Sequence, residues 1–146
     1  MSDTPRPVPR IAFVCVQNAG RSQMATAFAE RERDARDFDV EIVTGGTDPA
    51  DRVHEEVAGA MAELDFDLAE RTPREITAEE LRNCRYVVTM GCSAADACPA
   101  TWSGENRDWG LDDPDGRAPE EVRRIRDEIA ARVRELFDEV EAEHRN

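Results

Sequence analysis

Short, unbroken apolar runs separated by amphipathic stretches limit what this chain can fold into. IAFVCV (residues 11–16) is apolar at every position and of strand length, the pattern of a strand covered on both faces. DVEIVTGG (39–46) gives a second strand ended by glycines, and YVVTMG (86–91) a third, buried one. Between the first two, SQMATAFAERERDAR reads as a helix from Ser22, with Met24, Ala27, Phe28 and the stem of Arg31 on one face. ADRVHEEVAGAMAELDF (50–66) sets Val53, Val57, Met61 and Leu64 at helical spacing. TAEELRNC reads as a short helix capped by Thr77, with Glu80 three residues on completing a capping box. After the third strand comes a long loop rich in Cys, Pro, Trp, Gly and Asp, up to about Pro119. A closing amphipathic helix carries Val122, Ile125, Ile129, Val133, Leu136, Phe137 and Val140 in one stripe. Strands alternating with helices predict a single α/β domain, a parallel sheet with helices on both faces. The domain is expected over 10–146, after a flexible, proline-rich tail at 1–9.

The chain has 146 residues, enough for one core without staples. It carries 33 acidic residues against 19 basic ones, a formal net charge of −14, and every basic residue is Arg rather than Lys. Such a surface repels nucleic acid and anionic membranes, so neither is an expected partner. Heavy Asp and Glu without Lys suit a protein kept soluble in strong salt; a GC-rich genome gives the same preference for Arg. No secretory apolar segment opens the chain, and no run approaches the ~20 apolar residues of a spanning helix. A cytoplasmic location is expected. There thiols stay reduced, and the four cysteines read as catalytic or redox groups before they read as a scaffold.

Chemistry concentrates in CVQNAGRS (15–22), where a buried strand ends, the chain turns, and a helix begins. This order gathers backbone N–H groups and a helix dipole around one point, a nest for a tetrahedral oxyanion. The candidate oxyanion-binding residues are Val16, Gln17, Asn18, Ala19, Gly20, Arg21 and Ser22. Cys15 lies at the floor, where the amides that hold an anion also favour a thiolate. Arg21 can return over the loop and grip two oxygens in its planar fork. Ser22 can donate to the thiolate, and Asn18 can brace the loop through its amide. A cysteine at a strand end is otherwise a small core residue. The placement between strand and helix, with Ser following Arg, favours the nucleophile.

CVQNAGRS resembles the signature loop of the low-molecular-weight protein tyrosine phosphatase superfamily, which includes phosphatases and thiol-dependent arsenate reductases. GTDPADRVHEEV, DLAERTPREIT, YVVTMGC, CP and DWGLDDPDGR resemble further segments in the same order, so the similarity covers most of the chain. It implies a four-stranded parallel sheet flanked by helices, with Cys15 as nucleophile and Arg21 as anion clamp. Asp113, in DDP, matches the family's Asp-Pro and is the expected general acid, with Asp112 the weaker candidate.

Spare thiols separate the two activities. Reducing arsenate takes two electrons, which a dithiol supplies and a phosphatase does not need. The resemblance implies a relay in which Cys92 attacks the sulfur of Cys15, releasing arsenite, and Cys98 then takes over Cys92. Thioredoxin or a low-molecular-weight thiol is the expected reductant, with no metal or bound cofactor. Six residues of straight helix separate Cα atoms by ~9 Å, whereas a disulfide needs roughly 4.4–6.8 Å. If Cys92 and Cys98 pair, their segment must therefore bend. RSQMA resembles the reductases, and ring residues for a phosphotyrosine groove are scarce, Trp102 and Trp109 being the nearby candidates. Thr26 stands where some relatives have a glutamate that helps hold potassium. Cys84 reads as a partly buried small hydrophobe, and a zinc site from Cys84, Cys92 and Cys98 lacks a close pair. His54 reads as structural, with a side that could face the anion loop; His144 falls in the tail.

Overall fold

Along the chain follow β1 (Arg10–Cys15), α1 (Arg21–Arg36), β2 (Glu41–Gly46), α2 (Glu55–Ala62), α3 (Ala78–Arg82), β3 (Tyr86–Met90), β4 (Glu105–Asp108) and α4 (Pro119–Arg145). In the computed structural model, which describes residues 8–90 and 105–145, the strands form one sheet in the order β2-β1-β3-β4. All three pairings are parallel, and Cys15 at the end of β1 registers with Gly46 on one side and Met90 on the other.

Pleating divides β1 between two unequal apolar layers. Ile11 and Phe13 join the larger cluster, with Met24 and Phe28 of α1, Val57 and Met61 of α2, and the stripe of α4. Ala12 and Val14 face the smaller one, built from Ile76, Leu81 of α3, Cys84 and Val87. Helices thus cover both faces, one of them thinly. The whole expected stripe of α4, from Val122 to Val140, is buried. Pro119 opens that helix where no donor is lost, and Glu120 and Glu121 complement its dipole. Thr77 and Glu80 form the expected capping box on α3. Among the described residues, no helix is long and apolar enough to cross a membrane.

Two expectations need correction. The long loop contains β4, whose sequence ENRD has no apolar alternation. It pairs only with β3, at the sheet edge, where one side needs no apolar cover. The second helix is shorter than the 50–66 pattern, because the chain turns after Ala62 and Asp65 takes a positive φ of 68°. Leu64 is therefore exposed, and Phe66 packs edge-on against Phe28 instead.

The far end of α2 is pinned to α4. Buried Arg126 donates to the Ala60 carbonyl at 2.8 Å and to Glu63 at 2.8 Å, and Arg123 also grips Glu63. These guanidinium contacts, Arg123 foremost, hold the Glu63 carboxyl down from 4.5 to about 2. A depressed carboxyl stabilises the fold above its unfolded value, and that contribution fades as pH falls toward the folded value. Glu63→Gln is therefore expected to be less stable than the parent at pH 7, with the gap closing below pH ~3. Urea denaturation at the two pH values reads this directly. At Gly46, a Cβ would stand 2.4 Å from the Val16 carbonyl oxygen and 3.0 Å from the Asn18 nitrogen. Gly46→Ala is expected to cost about 1–3 kcal/mol by the same denaturation, with loss of activity because the displaced backbone belongs to the Cys15 loop.

Candidate active site

The loop between β1 and α1 turns its carbonyls outward. Those of Cys15, Val16, Gln17 and Ala19 accept the amide hydrogens of Thr47, Asp48, Ala50 and His54 at 2.8–3.2 Å. The Asn18 carbonyl accepts from the Gln23 side chain at 3.1 Å, and that of Gly20 from the Met24 amide at 3.0 Å. With every carbonyl from 15 to 20 paired outside the loop, its backbone amides are free of those bonds, and that of Asn18 points at Cys15 Sγ. That is the polarity an oxyanion requires.

Cys15 and Asn18 form the centre. The Asn18 amide hydrogen points to Cys15 Sγ at 3.1 Å, and Ser22 Oγ lies 2.8 Å from the same sulfur. Asn18 Nδ2 donates to Ser22 Oγ at 2.7 Å, so the single hydroxyl hydrogen of Ser22 is free to donate to sulfur. The Asn18 amide and the Ser22 hydroxyl thus converge on Sγ. Asn18 itself is fully buried with φ 53°, a left-handed conformation that asparagine tolerates better than most residues. Its Nδ2 also donates to Thr44 Oγ1 at 2.9 Å, and its Oδ1 accepts the Arg74 amide at 3.0 Å and Gln23 Nε2 at 3.1 Å. Thr44 passes its own proton to the Phe13 carbonyl.

A cavity of about 260 Å³ opens above the sulfur, lined by Cys15, Val16, Gln17, Gly20, Arg21, His54 and Asp113. Arg21 lines the same cavity. Its guanidinium donates to the Leu111 carbonyl at 2.8 Å and lies 3.8 Å from Asp113 Oδ2. The two site candidates, Arg21 and Asp113, therefore share one wall. Asp112 points away, to Arg124 at 3.2 Å on the surface, which leaves Asp113 as the carboxyl in the cavity.

His54 does face the loop. Its ring lies 3.1 Å from Gln17 Oε1 and packs over Gly20. Thr44, Gln23 and Gly46, which brace the Cys15 loop, were not singled out from the sequence. A threonine followed by two glycines at the end of a strand was the available signal. Trp109 is buried against Phe13 rather than lining the cavity, so it furnishes no ring groove. Thr26 gives its hydroxyl hydrogen to the Ser22 carbonyl. Cys84 is buried in the smaller core layer, its thiol bonded to the Glu80 carbonyl. Cys92, Cys98 and Trp102 lie outside the described residues.

Comparison with known proteins agrees with this geometry. The family model for low molecular weight phosphotyrosine protein phosphatase matches residues 10–146. A Halobacterium salinarum protein named "Putative arsenate reductase" is 61% identical over 132 residues, covering 89% of this chain and 92% of that one. A solved thioredoxin-dependent arsenate reductase from Corynebacterium glutamicum superposes with a TM-score of 0.77 at 32% identity. That match covers 97% of this chain, which spans only 65% of the Corynebacterium chain. A low molecular weight phosphotyrosine phosphatase from Vibrio cholerae, at TM-score 0.80 and 17% identity over 91% of this chain and 97% of its own, shares the fold. With the cysteine-bearing loop and the four-stranded sheet in place and the model matched from the first strand onward, the chain belongs to the low molecular weight phosphotyrosine protein phosphatase family.

Proposed function

We propose that this protein is an arsenate reductase that uses Cys15 as nucleophile and the Cys92/Cys98 pair as its source of electrons. The observation that carries the reading is a Cys15 sulfur contacted by the Asn18 amide and Ser22 under a cavity lined by Arg21 and Asp113, in a chain whose curated relatives are named arsenate reductases. Among the described residues, the cavity wall has no aromatic ring besides the His54 imidazole, which fits an inorganic oxyanion better than a phosphotyrosine ring.

Arsenate enters with its oxygens against the loop amides and the Arg21 fork. The Cys15 thiolate attacks arsenic, an oxygen departs as water with a proton from Asp113, and a Cys15–arsenic(V) adduct remains. The Cys92 thiolate then attacks Cys15 Sγ. The sulfur–arsenic bond breaks with its electron pair going to arsenic, which leaves as arsenite, while Cys15 and Cys92 form a disulfide. Cys98 attacks Cys92 and frees Cys15. Two thiols are oxidised for one arsenic reduced by two electrons, and an external dithiol or small thiol restores them. The register supports this reach. Met90, which pairs with Cys15, precedes Cys92 by two residues, at most about 7 Å of extended chain. A reducing cytoplasm is the matching compartment, and the lysine-free acidic composition suits one rich in salt.

The family match gives a second reading some weight, because the same cradle would hold a phosphate ester and form a phosphocysteine. Arsenite release with a thioredoxin system separates the two. The reductase reading expects turnover that falls by at least about a hundredfold in Cys92→Ser and vanishes in Cys15→Ser. Aryl phosphate hydrolysis indifferent to Cys92→Ser, with no arsenite formed by the parent, would replace it with the phosphatase reading.

A further inference from the structure

Residues 113–117, which carry the acid candidate, are held by the start of α2. Asp113 Oδ1 accepts the Asp115 amide hydrogen at 3.0 Å, leaving Oδ2 turned toward Arg21. The two positions after that turn are tied to α2. Asp115 Oδ1 lies 4.0 Å from His54 Nδ1, and the Gly116 amide donates to Glu56 Oε1 at 3.3 Å. Gly116 has a φ of 73°, a conformation that suits glycine and turns its amide to that carboxylate. His54 is fixed in turn from the other side, its own amide donating to the Ala19 carbonyl at 3.0 Å and its ring touching Gln17. One residue at the head of α2 thus joins the oxyanion loop to the acid loop.

We propose that His54 and Glu56 are positioning residues that latch the Asp113 loop over the Cys15 cavity and so set the rate at which the departing oxygen is protonated. The proposal rests on the reading of Asp113 as the acid. Both latch contacts lie beside the cavity rather than beneath the oxyanion, so they affect proton delivery more than anion binding. His54, Glu56 and Asp115 place their ligand atoms within 4.8 Å of one another, as a metal site does. The N-terminal end of α2, with its positive partial charge, favours the carboxylates there and opposes a cation. A latch made of the Gly116–Glu56 hydrogen bond and the Asp115–His54 contact fits that field.

The test is single-turnover arsenite formation by the fully reduced protein, which needs no external reductant. Asp113→Asn is expected to slow the maximal rate by about a hundredfold or more, the usual size of a general-acid contribution. Glu56→Ala is expected to slow it about tenfold, with the half-saturating arsenate concentration changed less than about twofold. Glu56→Gln, which keeps an acceptor oxygen for the Gly116 amide, should recover most of the rate. In the Asp113→Asn background, Glu56→Ala should add less than about twofold, since it acts through a proton no longer delivered. Asp115→Ala cuts the His54 side of the latch at an exposed side chain and should repeat this pattern should Glu56→Ala fold poorly. A full additional tenfold loss in the double variant, or a weakened arsenate half-saturation matching the lost rate, would overturn the latch. So would an unchanged rate in both Glu56→Ala and Asp115→Ala. An Asp113→Asn protein as fast as the parent would instead overturn the acid assignment.

Discussion

A single buried amide side chain organises this site. Asn18 sits in a left-handed conformation and gives its backbone hydrogen to Cys15. Through Nδ2 and Oδ1 it binds Ser22, Thr44, Gln23 and the Arg74 amide. These partners come from three parts of the fold: Ser22 and Gln23 from the start of α1, Thr44 from strand β2, and Arg74 from the segment leading to α3. Loss of the amide would remove bonds to Ser22, Thr44, Gln23 and the Arg74 amide together, and few other side chains accept its backbone angle without strain. The loop's carbonyls are tied to residues outside it, so an anion held as proposed would meet a backbone already fixed before it arrives.

The sheet explains why the site stands where it does. From β1 the chain crosses to β2 on one side and later returns to β3 on the other, so connections part at the carboxyl end of β1. Ligands of open parallel sheets bind in such crevices. Gly46 ends β2 there without a side chain, and the Val16 carbonyl and Asn18 nitrogen occupy the space a Cβ would need. The acid loop arrives from beyond β4 and is received by Arg21, through Leu111 and Asp113, and by the head of α2. The cavity is thus a junction of segments distant in sequence.

That distribution decides what could be read from the sequence. The apolar runs disclosed β1, β2 and β3 because an unbroken apolar stretch of strand length is a local signal, and the stripe of α4 was legible because its burial repeats at helical spacing. The grouping of Cys15, Arg21 and Ser22 at one site was legible because it depends on close spacing around one turn. Strand β4 was hidden because an edge strand of four polar residues has no pattern of its own and exists through its pairing with β3. The end of α2 was misread because Leu64 satisfies helical spacing, whereas the turn at Asp65 brings Phe66 to the core instead. Thr44, Gln23 and Glu56 were invisible because each acts on a partner 5 to 60 residues away, a relation that only the folded chain creates.

The central claim is that Cys15 is an activated sulfur in a preformed oxyanion cradle rather than one more core thiol. Cys84 is the internal control, since both side chains are only 4% exposed. Alkylation by iodoacetamide at neutral pH, followed peptide by peptide by mass spectrometry with and without arsenate, tests the distinction most directly. The account predicts rapid labelling at Cys15 that arsenate suppresses, with Cys84 silent until the protein unfolds. Labelling of Cys15 as slow as that of Cys84, or rapid labelling indifferent to arsenate, would contradict it.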